Sequence, residues 1–237
     1  MNNNNKNNCI ICGSEIVYFE KPRPVKCIYC NKDFESDTVC SKGHYVCDRC
    51  HSMPALDFIE KHCVSSSSEN PIEMADYLMR DKRVKMHGPE HHFLIPAVLL
   101  SSYYNAVNKP ELKTEKLHIA RKRAAKVYGG NCGFLGNCGA AVGTGIYDST
   151  LTGATPLSYT EWSLSNLMTS KSLYSIAMSG GPRCCKRNTF LAITDAVTFT
   201  KNKFDVKLSS DEKVKCSYSN LNNECLKEKC KFYKIQQ

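Results

Sequence analysis

The chain has 237 residues, of which 42% are hydrophobic, and it carries a formal charge of +9. This length and composition suit one domain of ordinary size with a small appendage, and they exclude a chain without a buried core. The longest apolar run, residues 93–100, is too short to cross a bilayer, and residues 1–8 are polar and lack the apolar stretch of a signal peptide. We therefore expect a cytoplasmic protein with no membrane partner. Its positive charge predicts an anionic partner, a small molecule in preference to nucleic acid such as tRNA.

Fifteen cysteines are the most unusual feature of the composition. In a chain without an export signal, thiolates bound to metal explain them better than disulfides do, and they indicate a reducing, anaerobic setting. Eight potential ligands lie close together near the N-terminus. Zinc prefers tetrahedral sulfur and nitrogen donors, so this set predicts two structural zinc ions. The eight ligands are Cys9, Cys12, Cys27, Cys30, Cys40, His44, Cys47 and Cys50.

The spacing of these ligands does not decide which of them share an ion. Consecutive pairing and cross-braced pairing both use all eight donors, and a single ribbon with a looser second site also satisfies the spacing. A segment this short has no core of its own, so residues 9–53 are predicted to fold as a zinc-ribbon-like module around its metals. We favour a structural or partner-docking role for the module over direct reading of nucleic acid.

Beyond residue 53, apolar residues recur with the period of a helix, and no segment alternates as a strand does. The pattern predicts helices over residues 54–63, 71–80, 90–107, 111–128 and 155–179. Asn70 as N-cap before Pro71 marks the start of the second helix. The helix over 111–128 is predicted to present a basic face, including Lys113, and the helix over 155–179 to bury Trp162 and Leu167.

The predicted fold is therefore mostly α, with the small zinc-ribbon-like domain followed by an all-helical domain rich in cysteine and glycine. We divide the chain into a disordered tail (1–8), a zinc-binding module (9–53), a helix and linker (54–70), a helical catalytic or cluster-binding domain (71–208) and a cysteine-containing tail (209–237).

Cys132 and Cys138 lie in residues 129–145, among seven glycines. Each glycine costs a helix about 1 kcal/mol relative to alanine, so something must lie close to this backbone. A tight helix crossing would account for the glycines, but we favour a cofactor or substrate.

Cys184 and Cys185 lie in a second segment of this kind, residues 180–188. They stand at the start of a predicted helix, next to Arg183, Lys186 and Arg187. The helix N-terminus and the three cations predict lowered pKa values for both thiols. We expect these two cysteines to converge on one site with Cys132 and Cys138.

Three histidines and a glutamate lie at the N-terminal end of the helix predicted over 90–107. The first turn of a helix favours an anion through its amides and dipole. Any one of these side chains is more often a cap or a surface residue. As a set, His87, Glu90, His91 and His92 are predicted to take part in catalysis.

Three further cysteines, Cys216, Cys225 and Cys230, lie in the polar C-terminal tail. Their spacing is less specific than a CxxC pair. They either hold a metal together with one upstream cysteine or bind a cluster as a set of three.

The chain as a whole resembles a cysteine-rich domain family of unknown function from anaerobic microbes. More distantly, the segments GAAVGTG after Cys138 and CCKRN from Cys184 resemble the helical catalytic domain of iron–sulfur L-serine dehydratases and cysteine desulfidases. This resemblance implies a [4Fe–4S] cluster on Cys138 and on Cys184 or Cys185, with Cys132 as a further candidate. It also places Arg187 and Asn188 near a substrate.

Two functions follow as hypotheses. The first is an iron–sulfur enzyme of lyase or desulfurase type, in which three thiolates leave one iron open as a Lewis acid toward a small anionic substrate. Its predicted catalytic groups include Arg183, Lys186, Arg187 and Asn188. The second is a zinc-bearing nucleic-acid-binding or assembly protein without catalytic activity.

Overall fold

The computed structural model describes residues 9, 11–12, 14–210 and 214–234. Most of them are helical, and their one sheet has two strands, which confirms the predicted fold class. The chain divides into two compact units, Met1–Met53 and Pro54–Gln237. The predicted disordered tail, residues 1–8, lies outside the described residues.

The first unit is built on an antiparallel hairpin of β1 (Ile16–Lys26) and β2 (Asp33–Cys40). Ile16 pairs with Cys40 and Lys26 with Asp33, and the register shifts between Tyr18 and Arg23. Two prolines and several charges interrupt the alternation of β1, so sequence periodicity gives no strand signal here. In the described part of this unit, the buried apolar side chains are those of four cysteines: Cys9, Cys27, Cys40 and Cys47.

The second unit contains the long helices. Their bounds are α1 Asp48–Ser65, which begins before the boundary of the units, α2 Pro71–Arg80, α3 Glu90–Ala106, α4 Lys113–Ala124, α5 Asn131–Phe134, α6 Gly139–Thr152, α7 Thr160–Met178 and α8 Cys185–Phe204. Single 3-10 turns lie at Pro110–Leu112, Ser219–Leu221 and Lys227–Lys229. Among these helices, none is both long and apolar enough to cross a membrane.

Helix α3 lies at the centre of the second unit. It contacts α2, α4, α6 and α8, and the side chains from Phe93 to Leu100 are buried. The predicted start of α2 is confirmed, since the Asn70 side chain accepts hydrogen bonds from the backbone amides of Ile72 and Glu73, both at 3.1 Å. This cap satisfies two amides that have no partner inside the helix.

The three glycines of α6 lie at helix crossings, the alternative to a cofactor that the sequence left open, whereas a Cβ atom on Gly133 or Gly136 would meet no atom of the described residues within 4 Å. A Cβ atom on Gly139 would stand 2.2 Å from the ring of His92, and one on Gly145 would stand 2.0 Å from Thr169 Oγ1. Gly143 faces the backbone of α3 at His92. Helices α3 and α7 therefore occupy the space that the missing side chains leave.

Two helical faces differ from prediction. Lys113 is buried in α4, and its ammonium donates to the carbonyl of Ser66 at 2.6 Å, so it does not belong to a basic outer face. Helix α4 also ends at Ala124, before the predicted 128.

On α7, Trp162 and Leu167 are exposed, and the buried positions are Met168, Ser172 and Ile176. The polar Ser172 is buried because it receives the hydroxyl of Thr144 from α6 at 3.1 Å.

Candidate metal centres

The eight N-terminal ligands form two groups of four, and the pairing is cross-braced. In each group, the four ligand atoms all lie within 4.8 Å of one another. The first and third ligand pairs of the chain form one group, and the second and fourth form the other. The groups are Cys9, Cys12, Cys40 and His44, and Cys27, Cys30, Cys47 and Cys50.

The distances within these groups fit a single tetrahedral ion in each. Cys12 Sγ lies 3.6 Å from Cys40 Sγ and 3.2 Å from His44 Nδ1. In the other group, Cys30 Sγ lies 3.8 Å from Cys47 Sγ. A zinc–sulfur bond of about 2.3 Å gives a tetrahedron with edges of about 3.8 Å. The donor set of sulfur and imidazole nitrogen is also the one that zinc prefers.

Backbone amides point at the sulfurs and favour their ionised form. The amide of Lys42 donates to Cys40 Sγ at 3.3 Å, and that of Cys47 to Cys27 Sγ at 3.4 Å. Burial opposes ionisation of Cys27, but the amides of Cys47, Cys30 and Tyr29 together lower its pKa to about 6.

Other thiols of the same groups behave in the opposite way. Burial, followed by the neighbouring thiols, raises the pKa of Cys50 to about 12. Adjacent thiolates, three in one group and four in the other, repel one another unless a cation lies between them, so these sites ionise fully only together with a divalent metal.

The predicted catalytic histidines are largely occupied by structural hydrogen bonds. His91 is buried, donates from Nε2 to the carbonyl of Lys85 at 3.0 Å and accepts at Nδ1 from Thr189 at 3.0 Å. Burial lowers its pKa well below the usual range, so the ring is neutral. His92 donates from Nδ1 to the carbonyl of Val127 at 2.9 Å.

His87 and Glu90 each keep one buried atom without a partner in the described structure, His87 Nδ1 and Glu90 Oε2. His87 Nε2 lies 3.3 Å from Asn222 Oδ1 and 3.3 Å from Glu224 Oε2. Burial lowers the pKa of His87 and raises that of Glu90. A catalytic role for these two residues stays a prediction.

The cations and the amide at the start of α8 mostly anchor the backbone. Lys186 is buried and donates to the carbonyls of Met79 and Val84, both at 2.8 Å, and burial lowers its pKa to about 8. Arg187 donates to the carbonyls of Gly180 at 2.7 Å and Pro182 at 3.2 Å. These bonds fix α8 to the end of α2 and to the turn that precedes α8.

Asn188 donates from Nδ2 to Cys138 Sγ at 3.5 Å, so it links α8 to the start of α6. Arg183, in contrast, is exposed.

The predicted lowering of the thiol pKa at Cys184 and Cys185 is wrong. Burial raises the pKa of Cys184, and it raises that of Cys185 to about 12. The charge and amide of Arg187 oppose the shift at Cys184 without reversing it. Lys186, which was expected to help, donates its ammonium instead to the carbonyls of Met79 in α2 and of Val84 in the loop after α2.

Four of the predicted cluster ligands line one cavity: Cys184, Cys216, Cys225 and Cys230. All four are half-buried. Cys184 is the N-cap residue of α8, and the other three belong to the tail, which is held by a bridge between Cys216 and Tyr233. The structure therefore joins the tail cysteines to one upstream cysteine, which was one of the two arrangements left open by the sequence.

Three of these four sulfurs accept backbone amides in the same way as the zinc ligands do. The donors are Arg187 N to Cys184 Sγ at 3.4 Å, Tyr218 N to Cys216 Sγ at 3.3 Å and Lys227 N to Cys225 Sγ at 3.4 Å. For Cys216 and Cys225 the donor is two residues on, the spacing seen between Cys40 and Lys42. Such bonds favour the thiolate form, but burial outweighs them at Cys184 and Cys216 and raises the pKa of both thiols.

Cys132, Cys138 and Cys185 are not among the residues that line this cavity. Cys184 and Cys185 are adjacent in sequence, so only one of the two faces the tail cysteines. Sequence reasoning missed Asn222, which is buried, lines the cavity and contacts His87. Its position among polar residues just before Cys225 carries no distinguishing signal.

A model described as a family of unknown function (DUF5714) matches residues 59–233 of the chain. The match begins inside α1, after the last zinc ligand, and includes all four cavity cysteines. No curated protein and no solved structure matches the chain.

Proposed function

Because the chain belongs to the DUF5714 family, whose function is unknown, we propose a function from the geometry of its own cysteines. Cys184, Cys216, Cys225 and Cys230 of the helical unit would hold a [4Fe–4S] cluster, which would supply one-electron transfer. The N-terminal module binds two zinc ions that hold its fold.

The observation that supports this proposal is the shared cavity of the four cysteines. Cys184 and the tail cysteines are remote in sequence, yet they line one cavity whose other walls include Met86, Phe190 and Phe232. Polar atoms in such surroundings need partners. A bound metal would be the partner of these sulfurs, in addition to the amide hydrogen bonds that three of them accept. Cysteines are the usual ligands of iron–sulfur clusters.

The spacing of the sulfurs favours a cluster over a single ion. In the described structure, only the two N-terminal groups bring three or more Cys, His or acidic ligand atoms within 4.8 Å of one another. No three of the cavity cysteines therefore bring their sulfurs within 4.8 Å of one another, as the ligands of one zinc ion would. In a [4Fe–4S] cluster each cysteine binds a different iron, which calls for this wider spacing.

Four thiolates favour electron transfer over the lyase or desulfurase chemistry that the distant resemblance implies. That chemistry needs one iron without a protein ligand to act as a Lewis acid. Here four cysteines are available for four irons. The resemblance places Arg187 and Asn188 near a substrate. In the structure, the Arg187 side chain donates to two backbone carbonyls and the Asn188 side chain donates to Cys138 Sγ. The proposed step is uptake of one electron from a reduced carrier protein, which is oxidised, and release of that electron to an oxidised acceptor, which is reduced.

The test is anaerobic purification of the full chain, followed by assays for iron, sulfide and zinc. We expect about four irons and two zinc ions per chain. Serine at Cys184, Cys216, Cys225 or Cys230 should remove most of the iron and the visible absorption, because each substitution removes one cluster ligand.

Cys132→Ser is the matched control, because Cys132 is half-buried like the four ligands but does not line the cavity. It should keep its iron and its absorption. Zinc should stay unchanged in all five variants. A colourless wild-type protein with a third zinc and no iron would contradict the proposal. So would full iron retention in the four ligand variants. If Cys184→Ser alone kept a cluster of altered spectrum, a three-cysteine site with an open iron would be the better description.

A further inference from the structure

Each cavity cysteine has an exposed cation next to it or two residues away. Arg183 precedes Cys184, Lys215 precedes Cys216, Lys227 follows Cys225 at two residues, and Lys229 and Lys231 enclose Cys230. These five side chains are called the flanking cations. We propose that the flanking cations dock an acidic electron-transfer protein over the cysteine cavity; this rests on the proposed function of that cavity.

Among the residues that the structure describes, the flanking cations are exposed and unpaired with carboxylates, and the contact that one of them makes is that of the Lys231 ammonium, 4.9 Å from the centroid of the Phe232 ring. No carboxylate in the described part of the chain lies within 4 Å of any of the five. The two acidic residues between Cys216 and Cys230 are Glu224, which lies 3.3 Å from His87, and Glu228, which is exposed. Positive charge therefore dominates the outer surface of this segment.

An acidic protein fits this surface better than nucleic acid does. Single-stranded nucleic acid binds where bases can stack on exposed aromatic rings. Of the aromatic residues that line the cavity, Phe190, Tyr218 and Phe232 are buried and Tyr233 is half-buried, so none presents a fully exposed ring. Complexes between electron-transfer proteins are small and transient and depend on complementary charge, which fits a cluster near the surface with cations around it.

The experiment uses the full chain, prepared anaerobically, and an acidic plant-type [2Fe–2S] ferredoxin as the probe. Its dissociation constant is measured at low and at high salt. The test variant reverses three flanking cations, Lys227→Glu, Lys229→Glu and Lys231→Glu. The control reverses three exposed lysines away from the cavity, Lys109→Glu, Lys122→Glu and Lys126→Glu, and so has the same net charge.

We expect the test variant to bind ferredoxin at least about tenfold more weakly, the control to change less than about threefold, and wild-type binding to weaken as salt rises. Equal weakening in both variants, or none in either, would overturn the inference. The same titration is repeated with a single-stranded RNA. If the wild type binds the RNA but not ferredoxin, and the test variant loses the RNA binding, the surface is one for nucleic acid and the inference is also overturned.

Iron content separates this inference from the proposed function. Wild-type protein without iron refutes the cluster, whereas wild-type protein with iron and no dependence on the flanking cations refutes only the docking surface. If the test variant loses iron, a variant with glutamine at the same three positions replaces it, and glutamine replaces the three control lysines as well. The inference then requires that the test variant bind ferredoxin about threefold more weakly than this control.

Discussion

Asp148 is a carboxyl group buried between α6 and α7. Its Oδ1 accepts the hydroxyl of Ser165 at 2.8 Å, and its Oδ2 has no partner in the described structure. Burial raises the pKa of Asp148 from 3.8 to about 6, and the bond from Ser165 opposes this only in part. The folded state therefore holds a proton on Asp148 that the unfolded chain releases at lower pH.

Asp148→Asn should stabilise the helical unit at neutral pH. A carboxyl group whose pKa is raised by folding contributes most to the free energy of unfolding below pH 3.8, and this contribution is lost as the pH rises toward 6. The gain of the variant over wild type should thus be small near pH 4, grow up to pH 6 and then stay constant. Two pKa units set a ceiling of about 3 kcal/mol. Fluorescence of Trp162, the single tryptophan, reports unfolding of this unit. Glu115→Gln, at an exposed carboxyl of α4, is the control, and a similar pH-dependent gain there would contradict the assignment.

Single residues were predictable from sequence where their role is local. Asn70 could be identified as an N-cap because the cap bonds only the next three residues. The roles of His91 and Lys186 were not predictable in this way. Their partners are the carbonyls of Lys85, Met79 and Val84, which no sequence pattern connects to them. A histidine or lysine in a hydrogen-bonded scaffold has the same sequence signal as one in an active site.

At the scale of elements, α6 shows what a glycine-rich helix does in this fold. Gly143 and Gly145 let α3 and α7 approach its backbone, and a Cβ on Gly145 would also stand 3.2 Å from the carbonyl of Ser165. The sequence indicates that something lies close to this helix. It cannot distinguish a neighbouring helix from a ligand, because both require the same absence of side chains.

Gly145→Ala should destabilise the helical unit by about 1–3 kcal/mol, because overpacking at the α6–α7 contact outweighs the better helix propensity of alanine. Chemical denaturation followed by Trp162 fluorescence measures the change. Gly133→Ala is the control: nothing lies within 4 Å of the added atom, and its effect should be neutral or slightly stabilising.

The double variant Gly145→Ala with Thr169→Ala tests the same contact from the other side. It removes the hydroxyl that the new methyl group would meet at 2.0 Å. It should recover part of the lost stability relative to the sum of the two single changes. Strict additivity would show that the two positions do not touch.

At the scale of the whole molecule, the sequence predicted which residues bind zinc but not how they are paired. CxxC spacing is a local signal, whereas pairing depends on how the hairpin folds back. In the structure, β2 brings Cys40 to the side of Cys9 and Cys12, and Cys47 donates its amide to Cys27. The same limit applied to the cavity cysteines, since the tail and Cys184 are joined only by tertiary structure.

Chelation of zinc should unfold the first unit and leave the second folded. The buried apolar side chains described in the first unit are all cysteines of the metal sites, so without metal this unit has no core. Limited proteolysis should then cut within residues 9–53, while Trp162 fluorescence stays native. If proteolysis under chelation spared residues 9–53, the module would have a source of stability other than its metals.

Cross-bracing makes the two zinc sites depend on each other. Cys27 and Cys30 of one site lie between Cys12 and Cys40 of the other, so each site closes the loop that carries ligands of its neighbour. Cys12→Ser should therefore weaken zinc binding at the untouched Cys27 site, and Cys30→Ser should weaken it at the Cys9 site. Zinc content under increasing chelator measures both, with Cys63→Ser, outside the module, as a control for substitution of a buried thiol. Consecutive pairing would give another result. Each substitution would release the zinc ion of its own site, and the zinc ion of the other site would resist chelator as it does in the wild type.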